Sequence, residues 1–179
     1  MKKILLTLFL VTVLIHANAQ TEKGDWMVGG GFRLNTAENN TVIALNPNAG
    51  LFVINNLALG GNLGFSYTKT GTVKVTGFGI GPFVRYYFTN ANVRPILHSH
   101  LNFLSEKTKV TTSSSTNTGI NYFLGGGAAI FISDQVSLDA LLGYDHTKIK
   151  DFEGSGGFAM TIGFQVYLLK RQMDKVRGK

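Results

Sequence analysis

The sequence predicts an all-β fold, an eight-stranded antiparallel up-and-down transmembrane β-barrel with short periplasmic turns and longer outer loops. Three observations lead there. Bulky apolar residues recur at every second position in eight separate stretches, the period of a strand and not of a helix. The connections between the stretches alternate between tight turns and longer segments, as consecutive hairpins do. Charge is scarce: of 179 residues, 44% are apolar and only 15% charged, against roughly 25% charged in soluble globular domains. The chain has no cysteine, which excludes a disulfide framework, a thiolate metal site and a cysteine nucleophile.

The elements follow in order. Residues 1–19 read as a cleaved secretory signal: Lys2 and Lys3, an apolar stretch from Ile4 to Ile15, then Ala17-Asn18-Ala19, small residues where a signal peptidase cuts. That stretch is short of the roughly 20 apolar residues a helix needs to cross a bilayer, so Gln20 is the expected start of the mature chain. No later segment reaches that length, which leaves a closed barrel as the way into a membrane. The first strand, Trp26 to Leu34, includes the glycine-rich run Val28-Gly29-Gly30-Gly31-Phe32, and Ile43 to Val53 forms the second. The third alternates most clearly, with Leu57, Leu59, Leu63, Phe65 and Tyr67 set against Ala58, Gly60, Asn62, Gly64 and Ser66. The fourth sets Phe78, Ile80, Val84, Tyr86 and Phe88 against glycines and Arg85. Val93 to Phe103, Ile120 to Ile132, Val136 to Tyr144 and Phe158 to Leu168 complete the set. Asn55-Asn56, Thr89 to Asn92 and Ser133 to Gln135 suit tight turns. Thr36 to Asn40, Lys69 to Gly71, Glu106 to Thr118 and Lys148 to Gly154 are the outer loops, and the run Thr111 to Thr116 is expected to be mobile. The barrel domain thus spans 20–169, followed by a basic tail, 170–179.

Alternation alone does not say which face is outside; the placement of charge does. A soluble ligand-binding barrel of the lipocalin kind would show many Lys and Glu on its solvated face. Here the non-apolar face carries Gly, Asn, Ala and Ser with Arg33, Arg85, Arg94, Asp139 and Asp145, which suits a narrow packed lumen. A slip of one residue would turn Arg33, Arg85 and Asp139 toward lipid, at about 2–4 kcal/mol for an Arg at the midplane. The aromatics agree: Tyr67, Phe103, Tyr122 and Tyr144 fall near the loop ends of the outward face and Trp26, Tyr86 and Phe88 near the turn ends, as two membrane-interface girdles. Loss of Lys2 and Lys3 lowers the formal charge of +7 to +5, and the tail carries +4 of that. No aromatic is interleaved in the tail, and no nucleic-acid partner is expected.

The signal ending, the glycine-rich first strand, the alternation and the last strand, Thr161 to Leu168, resemble the small outer-membrane β-barrel proteins of Gram-negative bacteria, the OmpA and OmpX-like group of the porin superfamily. The resemblance covers essentially the whole mature chain. It implies export to the outer membrane, and it makes Gly163, Phe164, Val166 and Leu168 the terminal signal read by the barrel assembly machinery. The chain departs from the family pattern by continuing eleven residues past Leu168.

Eight strands leave an interior just wide enough for side chains, so general porin activity is not expected. The inward ionic and polar set is Arg33, Arg85, Arg94, His98, His100, Asp139 and Asp145, with Arg85 or Arg94 expected to pair with Asp139 and Arg33 with Asp145. His98 and His100 point the same way and would need a third ligand from Asp139, Asn102 or Tyr87 to hold a metal; no metal site or other cofactor is expected. A lipid A deacylase would need a serine beside a histidine base, but alternation aims Ser99 outward and both histidines inward. The expected role is therefore structural, adhesive or surface interaction without a reaction. The alternatives are a lipid A modifying enzyme and a soluble lipocalin-like binder. Expected partners are outer-membrane lipid and lipopolysaccharide, met by the rim lysines, and the cell wall or anionic lipid, met by the basic tail. A monomer is expected.

Overall fold

The computed structural model describes residues 21–37, 40–110 and 113–170, with the backbone alone at 33–35 and 37. The predicted signal and all but the first residue of the basic tail lie outside the described residues. Eight strands run in chain order: β1 (Trp26–Ala37), β2 (Asn40–Ile54), β3 (Leu57–Thr70), β4 (Val73–Tyr87), β5 (Val93–Val110), β6 (Ser113–Ser133), β7 (Val136–Ile149) and β8 (Ser155–Leu168). Each pairs antiparallel with the next, and β8 returns to β1 to close the barrel. At one end two-residue turns join β2 to β3 and β6 to β7, and residues 88–92 join β4 to β5. At Asn55-Asn56 the second residue adopts φ 67°, a left-handed conformation that Asn tolerates better than most residues.

The pleat sorts the side chains as the alternation implies. Phe65, Phe78, Ile80, Leu97, Leu101, Phe103, Leu124, Leu142, Met160 and Ile162 are exposed on the outside. Met27, Phe52, Ala58, Phe83, Tyr87, Ile96, Phe123, Ala129, Leu141 and Tyr167 are buried together inside. A soluble barrel would not leave so continuous an apolar belt in water; a bilayer satisfies it, and closure of the sheet answers most of the backbone groups within the ladder.

The outer connections differ from expectation. Glu106 to Val110 and Ser113 to Asn117, expected within a mobile loop, are paired strand from Glu106↔Asn117 to Val110↔Ser113. Strand formation likewise continues through Lys69 and Thr70, and through Lys148 and Ile149. The cause is geometric. At about 3.3 Å per residue the 21 residues of β6 run roughly 70 Å, and a tilt of about 45° still leaves roughly 50 Å of height against an apolar band of about 25 Å. The ladder therefore carries on as a polar rim beyond the band, where Thr and Val keep strand propensity after the apolar alternation has ended.

The closing seam is short. Pairing between β1 and β8 runs only from Trp26↔Leu168 to Gly30↔Phe164, while β8 pairs with β7 from Val166 back to Ser155. Beyond the seam Phe158 is 88% exposed.

Candidate functional site

The lumen divides into a packed turn end and a polar, hollow outer half. At the turn end, Arg85 on β4 donates from Nη1 to Asp139 Oδ2 on β7 at 2.5 Å, and both side chains are almost fully buried. Ser137 Oγ donates to the other oxygen of Asp139 at 2.7 Å. The phenols of Tyr87 and Tyr167 meet at 2.9 Å, and Tyr167 reaches Ser137 at 3.1 Å. Around them pack Phe52 and Phe131, each within ring contact of Tyr167. Arg94 takes a different set of partners from Arg85. It donates to the carbonyls of Ala91 at 2.9 Å and Asn90 at 3.4 Å and to Thr21 Oγ1 at 3.1 Å, with its guanidinium 4.1 Å from the Phe131 ring centre.

Residues 21–25 lie across the mouth at this end. Lys23 N donates to Asn55 Oδ1 at 2.9 Å. Asp25 accepts from the backbone N–H groups of Glu22 at 3.0 Å and Lys170 at 2.9 Å. The segment thereby ties both chain ends of the barrel to the first turn.

A directed hydrogen-bond chain climbs from the ion pair into the hollow half. Arg85 Nε donates to His98 Nδ1 at 3.3 Å, so His98 carries its ring proton on Nε2. That nitrogen faces His100 Nδ1 at 3.4 Å, and His100 Nε2 in turn reaches Asn121 Oδ1 at 3.0 Å. Asn121 Nδ2 then donates to both oxygens of Asp145, at 3.0 and 3.1 Å, and to Thr147 Oγ1 at 3.0 Å. The two histidines, aligned by their i, i+2 spacing on β5, act as relays between two acids, with both ring nitrogens of each engaged. Asp145 takes Asn121 where pairing with Arg33 was expected; the Arg33 side chain lies outside the described residues.

Asn121 and Gln165 were not among the residues singled out from the sequence. An inward-facing Asn in a strand reads as a neutral spacer, and only the register reveals what surrounds it. One ladder row crosses the barrel as Gln165↔Gly29↔Asn48↔Asn62↔Gly81 and continues as Asn102↔Asn121↔Thr147. Asn102 faces Gly81, where a Cβ would come 2.7 Å from its Oδ1. Amides thus wind up the lumen from the turn end, where Gln165 pairs with Ser137, to the outer end at Thr147, with glycine at Gly29 and Gly81, where a side chain would meet a neighbouring amide. The inward phase of Asn62 and Asn102 was the available signal.

A cavity of about 310 Å³ reaches from the Arg85–Asp139 pair into this half, lined also by Asn48, Asn62, His98, Asn121 and Asp145. A second, of about 200 Å³, lies outward of it, sharing Asn46, Asn102 and Asn121 and reaching Glu106.

On the outer surface Trp26, Tyr86, Phe88, Phe103, Tyr122 and Tyr144 are exposed and Tyr67 is half-buried. Phe164, Val166 and Leu168 pair with Gly30, Val28 and Trp26 at the seam, and Gly163 precedes them on β8. Ser99 pairs with Val84 and Leu124, outward-facing residues of the neighbouring strands.

Comparison with known proteins places this geometry. A profile of the outer membrane protein beta-barrel domain matches residues 5–172. No curated protein matches the chain by sequence. Among solved structures, the N-terminal β-barrel domain of Pseudomonas aeruginosa OprF is 15% identical with a TM-score of 0.56, over 82% of this chain and 98% of that one. Neisserial surface protein A is 19% identical with a TM-score of 0.58, over 79% and 95%. Ail, the attachment invasion locus protein of Yersinia pestis, is 11% identical with a TM-score of 0.55, over 82% and 99%.

Proposed function

The chain belongs to the outer membrane protein beta-barrel domain family, and from that footing we propose that it is a surface-interaction protein of the outer membrane, held against lipopolysaccharide phosphates, with a lumen closed to general solute flow and no reaction of its own. The observation that carries this reading is a row of lysines. Lys69 on β3 lies directly opposite Lys74 on β4, and Lys74 lies opposite Lys109 on β5. All three are exposed and share the outward phase of Tyr67, Phe78 and Phe103, just beyond the apolar band. Like charges placed opposite each other in a ladder repel, so the row is costly unless an anion answers it. Lipopolysaccharide phosphates lie at that height, and ammonium groups bind phosphate as point charges. An adhesive use of the same rim accords with the attachment and invasion named for the Yersinia structure.

Closure rests on the turn end, where the buried ion pair, the tyrosines and residues 21–25 fill the bore. The reading without a reaction is supported by Ser99, which pairs with outward-facing Val84 and Leu124 and so faces away from His98 and His100.

The test replaces Lys69, Lys74 and Lys109 with Gln together. The unaltered barrel is expected to retain vesicles containing diphosphoryl lipid A in a salt-sensitive manner and not vesicles of its dephosphorylated form, and the triple variant is expected to lose that retention. Equal retention by both proteins would overturn the phosphate reading. Stepwise porin-sized conductance in planar bilayers would overturn the closed lumen, and a lipid A mass shift that depends on Ser99 would restore the enzyme.

A further inference from the structure

We infer that the gap between β1 and β8 is a lateral binding site, leading from the outer half of the bilayer into the lumen, for a single-chain amphiphile with a hydroxyl head. The inference goes beyond the surface role and does not depend on it. The two walls part progressively outward of the seam. A Cβ on Gly163 would meet Gly30 O at 2.9 Å and one on Gly31 would stand 3.4 Å from Ile162 O, whereas one on Gly157 would have nothing within 4 Å. Gly30 and Gly31 on one bank and Ala159, Thr161 and Gly163 on the other line the larger cavity, so the hollow of the lumen reaches the gap. Thr161 marks the connection. It pairs with Leu141, a buried inward residue, and so shares the inward phase, yet it is exposed.

The height of the gap sets the chemistry of what fills it. Met160 and Ile162 lie opposite Leu142 and Ala140 in the apolar band, and Phe158 lies opposite Tyr144 in the outer girdle. All three are exposed, as is Phe32 on the other bank. The backbone groups of β8 that face β1 between Ser155 and Gly163 thus stand at hydrocarbon depth without a ladder partner among the described residues, and such groups are costly to leave bare. A strand edge presents both N–H and C=O groups, so a ligand head that answers it must accept and donate. A hydroxyl does both, whereas an ammonium only donates and a carboxylate only accepts. Gly31, Ala159 and Gly163 leave room for the head to reach Thr161, while an alkyl chain lying across Phe32, Met160 and Ile162 stays in lipid.

1-Dodecanol is the probe, added to the folded barrel in phospholipid nanodiscs while the methyl resonances of Ala159 and Thr161 are followed by NMR. Saturable shifts are expected with dodecanol, and none with dodecane, which lacks the head, or with glycerol, which lacks the chain and would arrive through the outer mouth. Dodecyl methyl ether, which accepts but cannot donate, is expected to bind about fivefold more weakly, the worth of one neutral hydrogen bond. Phe32→Cys combined with Ile162→Cys tests the route. These positions face each other if the Gly30↔Phe164 register continues, which brings their Cα atoms within the span of a disulfide. Oxidation is expected to abolish the dodecanol shifts and reduction to restore them. Should the bridge not form, Thr161→Val, checked for folding by heat-modifiable gel mobility, is expected to weaken binding about fivefold as read at Ala159. Equal shifts with dodecane or glycerol, equal affinity for the ether, absence of saturation with dodecanol, or binding unchanged by the closed disulfide or in folded Thr161→Val would each overturn the assignment.

Discussion

At the turn end one carboxylate, that of Asp139, answers both Arg85 and Ser137 at full burial. Asp139→Ala would leave the guanidinium buried beside His98 and Tyr87 with no carboxylate to answer it, and breaking such a pair costs about 3–5 kcal/mol. The urea midpoint in micelles is expected to fall accordingly. Arg85→Leu combined with Asp139→Leu should recover much of the loss, since two apolar side chains leave no buried charge. A double variant no more stable than Asp139→Ala alone would show that the pair is not the source of the stability. Arg85, Asp139, His98 and His100 were legible as inward residues because a charge or imidazole on the small-residue phase of a strand has only the lumen to enter. The pairing of Asp139 with Arg85 was legible as one of two alternatives, Arg94 being the other; the histidine relay was not. That relay needs Asn121 from β6, and the amide row must be followed through all eight strands, whereas sequence spacing fixes positions only within a strand.

At the scale of the elements, all eight strands were legible wherever one face meets lipid, because a register slip there would move every apolar side chain to the wrong side. Their outer ends were not. Glu106 to Val110 and Ser113 to Asn117 are polar on both faces, and Ser, Thr and Lys in an extended ladder look the same in sequence as Ser, Thr and Lys in a loop. The seam was equally hidden, since nothing in β1 or β8 announces that their pairing stops at Gly30↔Phe164. The consequence is an asymmetric strand. Between Ser155 and Gly163 the backbone groups of β8 turned toward β7 are in a ladder, while those turned toward β1 have none among the described residues. Hydrogen exchange followed residue by residue is therefore expected to alternate along Ser155 to Gly163, fast and slow at successive amides, and to become uniformly slow from Phe164 to Val166, where both neighbours pair. Uniform protection from Ser155 onward would mean that the seam continues to the rim.

For the molecule as a whole, membrane embedding follows from the sum of the outward side chains and not from any single one. Leu63, Leu97, Leu101 and Leu142 are all exposed on the barrel surface, and no arrangement in water would hide them without a partner of similar extent. Arg85 and Asp139 are only 3% exposed, so turning the barrel inside out would place hydrocarbon where the ions are and ions where hydrocarbon should be. The absence of cysteine makes this arrangement directly measurable, because single cysteines can be introduced for spin labels with no background. Labels at Leu97 and Leu101 in reconstituted vesicles should relax with lipid-soluble oxygen and ignore a water-soluble nickel chelate. A label at Lys109, eight residues farther along β5 on the same face, should do the reverse. The crossover between Leu101 and Lys109 would then locate the outer membrane surface at the height of Phe103, where the aromatic girdle ends and the lysine row begins. Chelate access at Leu97 equal to that at Lys109 would put the whole strand in water and remove the membrane from the account of this fold.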